Sequence, residues 1–224
     1  GDRQALSVLL ATRRSAVNAS TEAQLQVFGL VIAAPEPIRA RFRGQKLAAM
    51  LNTAASLRVH TSYDTETTST VVALRTLARR AHAMSKEARE LQKAIVAIIR
   101  GWRPDLLEEF GVGPIVAATV LCAWSHPGRI HSEAAFAMLA GVAPIPANSG
   151  QVTTRYRLNR FGDRQLNNAI HTVVQSRIQY QQATRDYVAR RTAEGKTGRE
   201  IKRCLARYVA RDLYRLLENG PARA

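Results

Sequence analysis

The stretch LRTLARRAHAMSKEARELQKAIVAI, residues 74–98, decides the fold class. Leu74, Leu77, Ala81, Met84, Ala88, Leu91, Ile95 and Ile98 follow each other at alternating spacings of three and four. Side chains so spaced fall on one stripe of an α-helix, and a repeat sustained over several heptads is the signature of a left-handed coiled coil. Heptads alone do not name the partner. The stripe predicts pairing either with a second chain or with residues 3–33 of the same chain.

Moving outward, residues 3–33 repeat Leu6, Leu9, Leu10, Val17, Val27 and Leu30 at helical spacing, and Pro35 and Pro37 end that helix. A second helix is expected over 36–57, and the Thr/Ser cluster at 61–70 marks a break or a helix start. Downstream, Gly101 closes the heptad helix. A short helix over 105–110 then meets Gly111, Val112 and Gly113, with Pro114 suited to the first turn of the next helix. Two glycines flanking an apolar residue between helices form the helix-hairpin-helix pattern. Gly111 and Gly113 can take backbone angles closed to other residues and let a phosphate approach free N–H groups. A tight turn with no ligand is the alternative. Ser132 caps a helix through Leu139, which Gly141 ends. Asp163 caps a long one beginning near Arg164, and a turn at 194–196 leads into a last helix over 197–217. No strand is expected. The reading is an all-α chain, with a coiled-coil assembly region over 1–101 and a helical domain containing the hairpin over 102–224.

Charge points to the partner. The 224 residues carry 33 Lys plus Arg against 17 Asp plus Glu, a net of +16. Of the basic residues 28 are Arg, whose planar forks pair bidentately with phosphate. Residues 102–150 are net −2, whereas 151–224 hold 16 basic and 6 acidic side chains, a net of +10. The field therefore lies in the last third, and nucleic acid is the expected partner, with a GC-rich genome the alternative source of the arginine bias. No apolar run is long enough to span a bilayer, and no signal-peptide pattern opens the chain. Because Gly1 is not an initiator methionine, a fragment or processed piece is expected. Cys122 and Cys204 lie in apolar helical patterns and read as free thiols of a reducing compartment.

One segment breaks the helical pattern. GVAPIPANSGQVTTRYRLNRFGDRQLNN, residues 141–168, sets Ser149 in a Pro-bounded loop followed by Arg155, Arg157, Arg160 and Arg164. Ser-Gly in such a loop is ordinarily a turn. Four arginines beside it could instead hold a phosphodiester and stabilise charge developing on it, which a serine nucleophile requires. No His or carboxylate adjoins Ser149, so a base or metal must come from elsewhere. Cys122, His126 and His131 match no zinc spacing, and no metal site is expected in this chain. His82 and His171 read as structural or solvent-facing.

The block FGVGPIVAATVLCAW, continuing through HSEAAFAMLAGVAPIPANSGQVTTRYRLNRFGDRQLNNAIHTVV, resembles the C-terminal domain of serine-dependent insertion-sequence transposases. These are relatives of the Piv-type DNA invertases, also known as bridge-RNA-guided recombinases. The matching pieces are the glycine hairpin, the GVAP run, the Pro-x-x-Ser-Gly motif, the Arg-rich loop, an aromatic/Gly turn and the following helix. The resemblance implies that Ser149 attacks DNA to form a covalent phosphoserine link. By the residue chemistry above, Gly111, Gly113, Arg155, Arg157, Arg160 and Arg164 are the expected nucleic-acid contacts. A divalent metal, Mg, would come from a RuvC-like domain that has no counterpart in these residues, so this piece alone should bind DNA without cutting it. DNA, a guide (bridge) RNA and further copies of the chain, as a dimer or tetramer, are the implied partners, with no membrane, in a prokaryotic cytoplasm. The alternative is a non-catalytic helix-hairpin-helix nucleic-acid-binding module in which Ser149 is only a turn residue.

Overall fold

The computed structural model describes residues 1–146, 156–159 and 161–220, with backbone alone for 146 and 156–158. The chain is all-α: α1 (Asp2–Ala33), α2 (Glu36–Arg39) with a 3-10 turn (Ala40–Phe42), α3 (Leu47–Ser56), α4 (Thr65–Trp102), α5 (Asp105–Glu108), α6 (Pro114–Trp124), α7 (Glu133–Leu139), α8 (Arg164–Tyr180), α9 (Gln182–Ala193) and α10 (Gly198–Asn219). A single two-stranded antiparallel ladder, β1 (Pro144–Pro146) with β2 (Tyr156–Leu158), interrupts the helices of the described residues. Strands of three residues, one with two prolines, leave no readable alternation, which is why the sequence predicts none. None of the helices among the described residues is long and apolar enough to cross a membrane.

Two compact units form, residues 11–94 and residues 1–10 with 95–224. They divide the chain differently from the sequence features, because α4 is one helix through Gly101. Its end residues Ile95 and Ile99 join Leu6 and Leu10 in the core of the C-terminal helices.

In the unit of residues 11–94, α1 and α4 run antiparallel. The Ser20 hydroxyl lies 3.0 Å from the Ala81 carbonyl and 2.8 Å from the Ser85 hydroxyl, and Arg13 Nη2 donates to Gln92 Oε1 at 2.9 Å. The heptad stripe thus faces residues of α1 in the same chain. It is also rotated from the predicted one. Leu74, Ala81 and Ala88 are buried as expected, but Ala78 is buried where Leu77 was expected. Met84 and Leu91 are only half-buried. Ser85 and Gln92 take part in the seam because Ser20 and Arg13 satisfy them, a pairing that apolar periodicity cannot reveal.

The expected helix over 36–57 is broken instead. Gly44, at φ +70°, turns the chain between the 3-10 turn and α3. The pieces bring Ile38, Phe42, Leu51 and Leu57 onto Val27, Val31, Val71 and Leu74 in one core.

In the other unit α6 (PIVAATVLCAW) is apolar on every face and is accordingly central: Val116, Ala117, Ala118, Val120, Leu121 and Trp124 are buried. α8 packs on it through Leu166, Ile170 and Val173, and α10 adds Leu205, Val209 and Leu213. Arg103, only 3% exposed, donates to the carbonyls of Leu216 and Leu217 at 2.7 and 2.9 Å and pairs with Asp105 at 2.5 Å. A buried cation there satisfies the open carbonyls at the end of α10 and complements its dipole. The predicted caps at Ser132 and Asp163 form, and Thr197, read from the sequence as the first helical residue, is a third cap. The side chains of Ser132, Asp163 and Thr197 accept from the first turns of α7, α8 and α10, and Glu200 completes a capping box.

Candidate nucleic-acid interface

The glycine turn lies between α5 and α6. Gly111 has φ +85°, and a Cβ there would stand 3.3 Å from both Cγ1 and the carbonyl oxygen of Val173 on α8. Its side-chain-free backbone serves packing. Arg177 of α8 holds the same turn from outside, donating to the Phe110 carbonyl at 3.2 Å and to Glu109 at 2.6 Å, and it also reaches Asp212 at 3.3 Å. Gly113 differs. With φ −84° it is the N-cap of α6, and a Cβ there would meet nothing within 4 Å. No side chain caps this helix start. Glu108 and Glu109 are close in sequence, which argues against this turn as the main anchor for an anion, although Glu109 is paired with Arg177.

The ladder flanks the segment that carries Ser149. Pro144 pairs with Leu158, Ile145 with Arg157 and Pro146 with Tyr156. Ser149, Arg155 and Arg160 lie outside the described residues, and Arg157 is placed by its backbone alone. Arg164 is the exposed first residue of α8. Beyond the ladder the chain is tied to the end of α7. Asn159 Nδ2 donates to the Met138 carbonyl at 2.9 Å, Asp163 N–H to Leu139 at 2.7 Å, and Asn167 Nδ2 to Ala140 at 2.8 Å. Gly162 is jammed against Gly141, where a Cβ would come within 2.3 Å of the Gly141 nitrogen. Gly141 itself has φ +67°. Both glycines are therefore required for the start of α8 to meet the end of α7, so the two ends of the serine segment rest on a fixed base. In the sequence Gly141 reads as a helix stop and Phe161-Gly162 as an aromatic/Gly turn; that the two glycines pack on each other is not legible there.

Also missed is a cleft of about 320 Å³ lined by Gly141 to Pro144, His171 of α8, and Arg203, Cys204, Ala206, Arg207 and Tyr208 of α10. Burial, with the Lys202 charge behind it, lowers the His171 pKa below its ordinary value and favours the neutral ring. Among the described residues no three His, Cys, Asp or Glu side chains come together to hold a metal.

Residues 105–189 match the family model described as Transposase IS116/IS110/IS902. The match takes in the glycine turn, both strands, the segment between them and α8, and ends within α9. Over 140 residues the chain is 29% identical to "Insertion element IS110 uncharacterized 43.6 kDa protein" of Streptomyces coelicolor, covering 62% of this chain. The chain spans about a third, 35%, of that curated relative's length.

Proposed function

We propose that this chain is the serine-bearing, DNA-binding part of a DNA transposase that cuts and rejoins DNA through a covalent phosphoserine at Ser149. The observation that carries the reading is the match of residues 105–189 to a transposase family, within which the Pro-x-x-Ser-Gly motif falls. A ladder and two mutually packed glycines at the ends of that segment support it, because a nucleophile needs a rigid base for a loop that a DNA backbone can approach.

In this reading the Ser149 hydroxyl loses its proton to a base outside these residues and attacks the phosphorus. The P–O bond to one deoxyribose breaks so that this sugar leaves with a free hydroxyl, and Arg155, Arg157, Arg160 and Arg164 hold the remaining phosphate oxygens. Gly113, open at the start of α6, offers backbone N–H groups to a second phosphate, while Gly111 supplies the packing that fixes the turn. The Mg that the family resemblance implies would be held by a RuvC-like domain outside these residues. A guide RNA is a further partner of the complete protein. Self-association uses the region 1–101. Since α4 already faces α1, a second copy would meet the exposed stripe of Leu25, Phe28 and Ile32 on α1.

The test is strand cleavage by the full-length protein. Ser149→Ala should abolish cleavage and leave DNA affinity nearly unchanged, and the 224-residue chain alone should bind DNA without cutting it. Cleavage by the Ser149→Ala protein would refute the assignment.

A further inference from the structure

Two features of the helical unit beside the ladder present surface that the fold leaves open. The first is Phe161, 93% exposed. Its N–H is held by Asn159 Oδ1 at 2.9 Å, Asn159 is held by Met138, the next residue is wedged on Gly141, and the one after donates to Leu139. A phenyl ring set in water on a backbone so tied forfeits its own burial, and only a partner surface returns it. The second is the cleft, which begins at Gly141, the residue on which Gly162 packs.

The cleft has a definite chemistry. Val142, Ala143, Pro144 and Ala206 give it apolar walls, and Tyr208 and His171 give it two flat rings. Its cations are Arg203 and Arg207. Arg207 Nη2 is engaged with Glu133 at 3.0 Å, while its Nη1 is buried with no hydrogen-bond partner. The cleft's volume is at the small end of sites that take small molecules, enough for a flat ring system and too small for a helix. A flat apolar body joined to an anion fits this lining, and a nucleotide is that ligand.

We propose that the cleft receives a single nucleotide extruded from a nucleic-acid duplex, with Phe161 filling the gap left in the base stack. The base lies between Tyr208 and the walls, the imidazole of His171 meets its edge, and its phosphate takes Arg203 and Arg207. Wedge and receptor are side by side because Gly162 and Gly141 are in contact. The inference rests on the nucleic-acid reading above and assigns a role to His171, Arg203, Arg207 and Tyr208, which that reading leaves unused.

Cys204 lines the cleft and reports on it without mutation, while half-buried Cys122 on α6 serves as the internal control. The 224-residue chain is alkylated with iodoacetamide alone, with a fully matched duplex, and with the same duplex carrying one mismatch, each as DNA and as RNA. Modification of both thiols is followed by mass spectrometry. An unpaired base costs less to extrude, so the mismatched duplex should bind at least about tenfold more tightly than the matched one. At equal, sub-saturating concentration it should slow alkylation of Cys204 and not of Cys122, and the backbone type that protects identifies the source. Phe161→Ala, fully exposed and so without effect on melting, should remove the mismatch preference. Tyr208→Ala should weaken protection, with Tyr208→Phe restoring it. Equal protection by matched and mismatched duplexes, or a preference that survives Phe161→Ala, overturns the inference. Binding with no protection of Cys204 overturns it and leaves the DNA-binding reading standing. No binding of any duplex overturns both.

Discussion

Gly111 and Gly113, with one residue between them, differ in what their backbones demand. Gly111 needs to be glycine for the fold, since its φ is +85° and α8 stands 3.3 Å from where a Cβ would lie. Gly113 has neither constraint. Gly111→Ala should cost about 1–3 kcal/mol, from left-handed strain and from forcing α8 outward. Gly113→Ala should cost under about 1 kcal/mol, as expected when alanine replaces glycine at an N-cap. Chemical denaturation of the two variants checks this. If Gly113 serves phosphate approach, its variant will fold normally and bind DNA more weakly. Equal stability losses would place both residues in the packing class. The sequence shows the pair and its turn, but not which glycine touches α8, because Val173 and Ser176 are distant along the chain.

Elements were legible where local chemistry sets them. The caps at Ser132 and Asp163 could be read because a side-chain acceptor two or three residues before free N–H groups is a local event. The rotation of α4 could not be read. Met84 and Leu91 look like seam residues, yet Ser85 and Gln92 are the ones matched by Ser20 and Arg13. The break between α8 and α9 was also hidden. Gln181 leaves the helix at φ −100° and ψ 118° with neither glycine nor proline to announce it. The revised seam makes a prediction. Leu74→Ala removes a fully buried side chain and should cost about 2–5 kcal/mol, while Leu91→Ala on the half-buried flank should cost markedly less. Thermal or urea unfolding distinguishes them. Equal losses would restore the face expected from periodicity alone.

At the scale of the whole molecule, charge and the serine segment belong together. The excess of +10 over residues 151–224 was plain in the sequence, as was the loop that breaks helical pattern. The cleft was not, because it joins residues 141–144 to α8 and α10 through tertiary packing. Some of the charge is structural, as Arg177 with Glu109 and Asp212 shows, so net charge overstates what is free for DNA. Neutralising Arg155, Arg157 and Arg160 should weaken duplex binding, and each lost phosphate contact should flatten the slope of log K against log salt by about 0.9. An unchanged slope would mean that these arginines do not meet the backbone.

The most direct measurement is the chemical identity of the protein–DNA link. The full-length protein is trapped on its DNA substrate, digested with protease and nuclease, and the nucleotide-bearing peptide is sequenced by mass spectrometry. The account predicts a nucleotide phosphate esterified to the hydroxyl of Ser149, and no adduct in the Ser149→Ala protein. A link to any other residue, or strand transfer that proceeds with no protein-linked intermediate, would contradict it.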